Sequence, residues 1–243
     1  MPLPSAPTGV RVVTLEIDGR ALSARDSESI IEVCRDNDIP IPSLCYVEGL
    51  SVWGACRLCM VEVGGQPRLL SACSTRVADG MQVNTDSERL RRYRRTIVEL
   101  LLAERNHVCS VCVSNGHCEL QSLAQRCGVD HVRVPYRQQR YAVDGSHESF
   151  RLDHNRCVLC ARCVRVCDEI EGAHTWDVMG RGADCLIVSD LARPWGDSET
   201  CTGCGKCIQV CPTGALVRHG TSVGEMVKDQ QFLPILARRR QAR

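Results

Sequence analysis

The sequence predicts an α+β chain assembled from several small domains rather than around one large core. Three observations carry this expectation. The start has a strand–strand–helix order with clear turn signals. The middle has a capped amphipathic helix. Past the middle, two cysteine runs share one spacing. The chain has 243 residues, 18 of them cysteine, and an aromatic content of only 4%. Large side chains therefore do little of the core filling, and small domains with thin cores need staples such as bound metal.

Val10 to Ile17 is rich in β-branched residues and reads as a strand. Asp18-Gly19 is a hairpin turn signal, with Arg20 to Ala24 as the return strand. Ser27 to Asn37 reads as a helix with Ile30, Ile31 and Cys34 on one face, ended by Pro40 and Pro42. Cys59 to Val63 and Arg68 to Thr75 read as strands around a Gly64-Gly65 turn. Strand, strand, helix, cysteine loop and further strands is the order of a β-grasp ferredoxin. Thr85 and Glu88 form a capping-box signature before a helix with Leu90, Tyr93, Ile97, Leu100 and Leu101 at helical spacing, to about Arg105. A short helix is expected around Glu119 to Cys127, and Val134 to His154 reads as a polar connection with one short strand. Ser222 and Glu225 predict a capped C-terminal helix interrupted by Pro234, with Arg238 to Arg243 as a frayed basic end.

The chemistry is concentrated in the cysteines. Cys157, Cys160, Cys163 and Cys167 form C-x2-C-x2-C-x3-C, and Cys201, Cys204, Cys207 and Cys211 repeat it, with Pro212 following. This spacing suits a pair of 4Fe–4S clusters, each held by three thiolates of one run and the fourth of the other. One cluster then takes Cys157, Cys160, Cys163 and Cys211, and the other Cys167, Cys201, Cys204 and Cys207; uncrossed ligation is the alternative. Zinc also uses C-x2-C pairs, but its sites need two pairs rather than a close trio plus a fourth. Cys45, Cys56, Cys59 and Cys73, beside the small residues Gly54 and Ala55, suit a 2Fe–2S cluster in the β-grasp segment, with structural zinc as the alternative. His107, Cys109, Cys112 and Cys118 form a set short of one thiolate, for which His117 and Cys127 are the other candidate fourth ligands. Cys34, Cys127 and Cys185 default to small buried residues.

Composition narrows the function further. The start is Pro-rich without an apolar core, so no secretory segment is expected, and no apolar stretch is long enough to span a bilayer. The expected compartment is reducing. The formal net charge of +1 counts cysteines as neutral. Four oxidised clusters bring the total to about −6, which argues against a nucleic-acid partner. Arg89, Arg91, Arg92, Arg94 and Arg95 cluster on a predicted helix and read as a solvated or docking face. Gly180-Arg181-Gly182 lacks the third glycine and the strand–helix setting of a dinucleotide fingerprint, and no P-loop is present. No catalytic residue is visible.

Four motifs in this order resemble the N-terminal iron–sulfur module of the large peripheral-arm subunit of respiratory complex I, shared with iron-only hydrogenases and some NAD-dependent formate dehydrogenases. "GACRLCMVEV" looks like the 2Fe–2S loop of that module, and "NHVCSVCVSNGHCELQ" is similar to its motif of one histidine and three cysteines. Most members place three residues between that histidine and the first cysteine; here only Val108 stands there. A chain of this size with two full ferredoxin runs resembles the small diaphorase subunits of cytoplasmic NAD-reducing nickel–iron hydrogenases. The resemblance implies an electron-relay subunit of a hydrogen:NAD+ oxidoreductase with one 2Fe–2S and three 4Fe–4S clusters. It implies partners in a flavin- and NAD-binding subunit and the hydrogenase small and large subunits, which would carry FMN, NAD and the nickel–iron centre. Alternatives are a relay for formate dehydrogenase or a complex I-like NADH oxidoreductase, or a zinc- or cluster-based structural or sensor protein. The expected domains are a β-grasp domain over 1–84, a helical 4Fe–4S domain with linker over 85–146, a two-cluster ferredoxin-like domain over 147–219, and a helix with basic tail over 220–243.

Overall fold

The computed structural model describes residues 9–137 and 139–241. The Pro-rich start and the last two residues of the expected frayed tail lie outside the described residues. The chain forms two compact units. The first comprises the described residues to Ser43 together with Arg57–Arg92; the second comprises Leu44–Cys56 and the chain from Tyr93 onward.

In the first unit, β1 (Val12–Ile17) pairs antiparallel with β2 (Arg20–Arg25). Asp18 and Gly19 close the hairpin with φ of 50° and 78°, the left-handed pair that matches strand twist in a two-residue turn. Val13, Leu15 and Ile17 alternate inward along β1. Helix α1 (Ile30–Asp36) carries Ser29 at its N-cap, and Glu32 accepts the Ser29 N–H at 2.7 Å. Its Ile30, Ile31, Val33 and Cys34 are buried. Strands β3 (Met60–Val63), β4 (Leu70–Ser71) and β5 (Gln82–Asn84) complete a five-stranded sheet of order β2-β1-β5-β3-β4, with β1 and β5 parallel. Ile17, Ile30, Leu58 and Val61 are fully buried in this unit, each contributing about 1.5–3 kcal/mol.

Three details of this unit differ from the sequence reading. The strand expected over 68–75 is only two residues long: Ser74 and Thr75 N–H both return to the Ser71 carbonyl, so the backbone turns there and carries Cys73 out of the strand. Strand β5 is three residues long with one buried side chain, too short for its alternation to stand out in a sequence; it lies between β1 and β3 and pairs with both. The Thr85–Glu88 capping box does not form. The Thr85 amide and hydroxyl both bind Asp18, at 2.7 and 2.5 Å, and Ser87 Oγ accepts the Leu90 N–H at 3.2 Å.

Helix α2 (Glu88–Glu104) begins in the first unit and runs into the second. Its buried positions are Leu90, Arg94, Val98, Glu99 and Ala103, whereas Leu100, expected inside, is 48% exposed. Polar groups displace part of the apolar stripe because Glu99 is held by Arg95 at 3.1 Å and Arg133 at 2.8 Å. Helix α3 (Glu119–Arg126) buries Leu120 and Leu123. The linker expected to hold one strand holds β6 (Val143–Asp144) and β7 (Phe150–Asp153). With β10 (Leu216–Arg218) they make a three-stranded sheet of order β10-β7-β6.

The second unit is completed by two short helices and a hairpin. Helix α4 (Arg162–Arg165) continues as a π turn over Val166–Glu171, and α5 is Lys206–Val210. The hairpin joins β8 (Trp176–Met179) and β9 (Leu186–Ser189). Val166, Ile208, Val210, Val217 and Leu233 are fully buried in its core. The Ser222–Glu225 contact forms, at 3.1 Å, but closes a turn rather than a helix. The C-terminal helix α6 is Phe232–Gln241. Pro234 sits in its first turn, where a missing N–H costs nothing, so it begins the helix instead of interrupting it. Arg238, Arg239 and Arg240, read as frayed, are in the helix. No described helix is long and apolar enough to cross a membrane.

Candidate metal centres

The two cysteine runs fold into the same loop. Leu159 and Ala161 in the first run have φ of 52° and 53°; Gly203 and Gly205, at the same offsets in the second, have 68° and 69°. Left-handed backbone costs a non-glycine residue about 1–2 kcal/mol. The first run therefore bears a strain the second avoids, and the tight wrap of the loop recurs in both. Each loop feeds a short helix, α4 or α5, that holds the third cysteine and leads to the fourth.

These helices bring the runs together crosswise. Cys157, Cys160, Cys163 and Cys211 line one cavity with Leu152, Ile187 and Pro212. Burial, then the neighbouring thiols Cys160 and Cys211, push Cys157 up to about 12. Burial pushes Cys160 up to about 11 despite the nearby Arg162. On the other side, burial and the thiols of Cys204, Cys167 and Cys201 raise Cys207. Several sulfurs facing one space repel as thiolates, and a bound cationic iron core offsets that repulsion while releasing protons. Both donor sets are soft and mutually facing, which fits 4Fe–4S clusters.

A second cavity is lined by His107, Cys109, Cys112 and Cys118. The His107 Nε2 is buried without a hydrogen-bond partner, as is Ser114 Oγ in the same wall. Burial and Arg156 push the His107 ring down to about 4, so it is neutral; its hydrogen bond to the Leu101 backbone opposes that shift. A neutral imidazole anchored through one nitrogen presents the other as a ligand. His117 is exposed, and neither it nor Cys127 lines this cavity. Gly214 packs against it: a Cβ there would stand 2.5 Å from Cys112 Sγ. The two cavities share Thr213 in their walls.

The first set divides between the units. In the second unit, Leu44 N–H donates to Cys56 Sγ at 3.4 Å, and a hydrogen bond with Cys56 holds the Cys45 thiol low, to about 5. In the first unit, Cys59 and Cys73 are buried, and Ala72 N–H donates to the Cys59 carbonyl at 3.0 Å. Gly54 and Arg57 both take positive φ, 70° and 55°, so this loop turns as tightly as the later runs.

Two buried arginines went unread in the sequence. Arg165 N–H groups bind the carbonyls of Cys45, Ser51 and Cys160. Arg162 binds Glu119 at 2.6 and 2.9 Å and the Tyr46 carbonyl at 2.9 Å. They tie the Leu44–Cys56 stretch to the helix that presents Cys163. The arginines of α2 are largely engaged within the chain: Arg91 with Asp86 at 2.6 Å, Arg92 with Glu88 at 3.1 Å, Arg89 with Glu62 at 3.7 Å, while Arg94 is buried. Of the three unassigned cysteines, only Cys34 is buried as expected; burial pushes its thiol up to about 12. Cys127 and Cys185 are half-buried. Among the described residues no three His, Cys, Asp or Glu side chains are grouped to hold a single metal ion.

Fold and donor sets define an iron–sulfur protein of the class found at the start of complex I large subunits. Residues 10–88 match the family described as 2Fe-2S iron-sulfur cluster binding domain. Residues 94–133 match the NADH-ubiquinone oxidoreductase-G iron-sulfur binding region, and 148–217 the ferredoxin-like domain of NADH-quinone oxidoreductase subunit 3. The chain belongs to the family of the HoxS gamma subunit of NAD-reducing hydrogenase: it is 31% identical to that subunit from Cupriavidus necator, over 90% of this chain and 93% of the relative. It is 38% identical over 216 residues to the NADP-reducing hydrogenase subunit HndD of Solidesulfovibrio fructosivorans, covering 86% of this chain and 36% of that one. The chain thus spans about a third of that relative's length. A chain of a crystal structure of NAD+-reducing nickel–iron hydrogenase in the H2-reduced state superposes with a TM-score of 0.81 at 32% identity, covering 86% of this chain and 88% of that one. The α+β class, the 2Fe–2S domain and the ferredoxin-like 4Fe–4S domains follow from these matches.

Proposed function

We propose that the chain is the iron–sulfur electron-relay subunit of a cytoplasmic hydrogen:NAD+ oxidoreductase. It passes single electrons between a flavin- and NAD-binding subunit and a hydrogenase module of small and large subunits. The observation that carries this is the likeness to the HoxS gamma subunit over nearly the full length of both chains. The common Thr213 wall of two candidate cluster cavities supports it, since a relay needs its carriers close.

In this reading Cys45, Cys56, Cys59 and Cys73 hold one 2Fe–2S cluster. His107, Cys109, Cys112 and Cys118 hold a 4Fe–4S cluster, and the crossed sets of the two runs hold two more. The domain limits fall near 84/85, 146/147 and 219/220. When bound, the clusters supply one-electron oxidation and reduction. The chain's own residues do the rest. The thiols give up protons to become ligands, Leu101 orients His107, and Gly214 leaves room beside Cys112. Buried Arg162 and Arg165 hold the ligand loops in register.

Two outcomes test this. The purified chain is expected to be reduced by dithionite but not by NADH, and mixing with a flavin-containing NADH-oxidising subunit is expected to restore reduction by NADH. Flavin-free reduction by NADH would overturn the relay reading. Second, neutral imidazole leaves its cluster one charge less negative than a fourth thiolate would. His107→Cys is therefore expected to keep the iron content and lower that cluster's reduction potential, whereas His117→Ala leaves it unchanged. Loss of the cluster in His117→Ala, with retention in His107→Ala, would reverse the assignment.

A further inference from the structure

We propose that Trp195 and His147 tune the site of Cys167, Cys201, Cys204 and Cys207 by donating two side-chain hydrogen bonds to the Cys201 sulfur, which makes that site easier to reduce. The proposal rests on the crossed ligand set above. Trp195 Nε1 stands 3.4 Å from Cys201 Sγ, and an indole N–H only donates. His147 Nε2 lies 3.8 Å from the same sulfur. Its tautomer follows from the other side of the ring, where Nδ1 accepts the Ser149 N–H at 3.0 Å. The proton of the neutral ring is then on Nε2, facing the sulfur.

The setting is built, not incidental. The chain has three tryptophans and two phenylalanines, and two of the former and one of the latter gather here. Trp176 meets Trp195 edge-on at 4.7 Å, Phe150 stacks on Trp195 at 5.4 Å, and His147 packs on Phe150 and Trp195 at 4.8 and 4.9 Å. Trp195 is 1% exposed, so the donor side of this contact is closed to water, while Cys201 is half-buried. Asp144 accepts the Trp195 backbone N–H at 2.7 Å, and Ser146 Oγ accepts that of Gly196 at 2.8 Å. A Cβ on Gly196 would stand 2.3 Å from the Ser146 carbonyl, so this close approach requires glycine. The segment carrying His147 is thereby pinned to the one carrying Trp195. Thr175 N–H donates to Cys167 Sγ at 3.4 Å, and Trp176 hydrogen-bonds Cys207.

The electrostatics give the direction. Reduction adds one electron to the site and breaks no bond. N–H dipoles aimed at a ligand sulfur favour the more negative, reduced form, and they act more strongly where water is excluded. Removing a donor while keeping the ring volume therefore lowers the potential of this site and leaves the others.

The experiment is a dithionite titration of the cluster-loaded chain, followed by electron paramagnetic resonance, comparing wild type with Trp195→Phe, His147→Leu and His147→Gln. Trp195→Phe and His147→Leu are expected to reduce the ratio of reduced to oxidised site about three- to tenfold at fixed applied potential, tenfold being about 59 mV for one electron. His147→Gln, which keeps an N–H donor, is expected to recover most of the shift. Iron and sulfide contents are expected to stay at the wild-type level. His147 is half-buried at the rim of the cluster of rings, so its variants report even where Trp195→Phe disturbs folding. Unchanged potentials in His147→Leu and Trp195→Phe with full iron content would overturn the proposal, as would equal shifts in Leu and Gln. Cys201→Ser run in parallel separates the two ideas: if it removes no signal, the ligand assignment fails; if it removes one that the donor variants leave unshifted, only the tuning fails.

Discussion

Cys211→Ser is expected to abolish the 4Fe–4S signal of the site that Cys157, Cys160 and Cys163 begin, although Cys211 lies in the other run. Cys211 lines the same cavity as those three residues, and burial of Cys157 is reinforced electrostatically by Cys211. A serine hydroxyl is a harder, less readily ionised ligand, so three thiolates remain and the site loses its fourth corner. Cys167→Ser is expected to do the reverse, removing the signal of the site that includes Cys201, Cys204 and Cys207. Each variant should lose about one cluster's worth, roughly four irons per chain. Resolved paramagnetic signals of the dithionite-reduced variants, with iron analysis, make the comparison. If Cys211→Ser removes only the signal that Cys201→Ser also removes, the crossed arrangement is wrong.

Glu119→Ala is expected to be the most destabilising change away from the ligands. The Arg162 side chain is 3% exposed, and Glu119 holds two of its nitrogens at 2.6 and 2.9 Å. Glu119 also accepts from Gln230 at 3.0 Å. Removing the carboxylate leaves a buried guanidinium with only carbonyl partners; because Glu119 itself is 36% exposed, the cost lies at the low end of the range for a buried pair broken from one side, about 3 kcal/mol. For a chain of this size that lowers the melting temperature by roughly 6–12 °C. The double change Glu119→Leu with Arg162→Met is expected to recover much of the loss, because it removes both charges and keeps the volume. Calorimetry of the cluster-loaded variants checks it. A fall of less than about 1 kcal/mol in Glu119→Ala would show that the carbonyls of Tyr46 and Val210 suffice for Arg162.

The hairpin of β1 and β2 was legible because its information is local: alternating apolar residues and an Asp-Gly turn reach only their neighbours. The spacing of the two runs was legible for the same reason, since a loop that wraps a cluster needs its ligands at short fixed intervals. The missed strand β5 shows the limit. Its one buried residue, Val83, means little until β1 lies beside it. Leu100 was misread because periodicity counts apolar residues, whereas Arg133, far along the chain, makes a buried Glu99 affordable. Thr85 was misread because Asp18, distant in sequence, outcompetes the helix start for its hydroxyl.

By itself the sequence determined which thiols are available, in which groups, and the class of cofactor such soft, closely spaced donors select. Tertiary structure alone decided what surrounds them. It faced His107 rather than His117 toward the cysteine trio, brought Cys211 to the earlier run, and aimed Trp195 and His147 at one sulfur. Ligand identity is carried by residue type and short spacing, which the chain keeps whether folded or not. Orientation, burial and hydrogen-bond direction come from segments distant in sequence, and they exist only once the packed core holds those segments together.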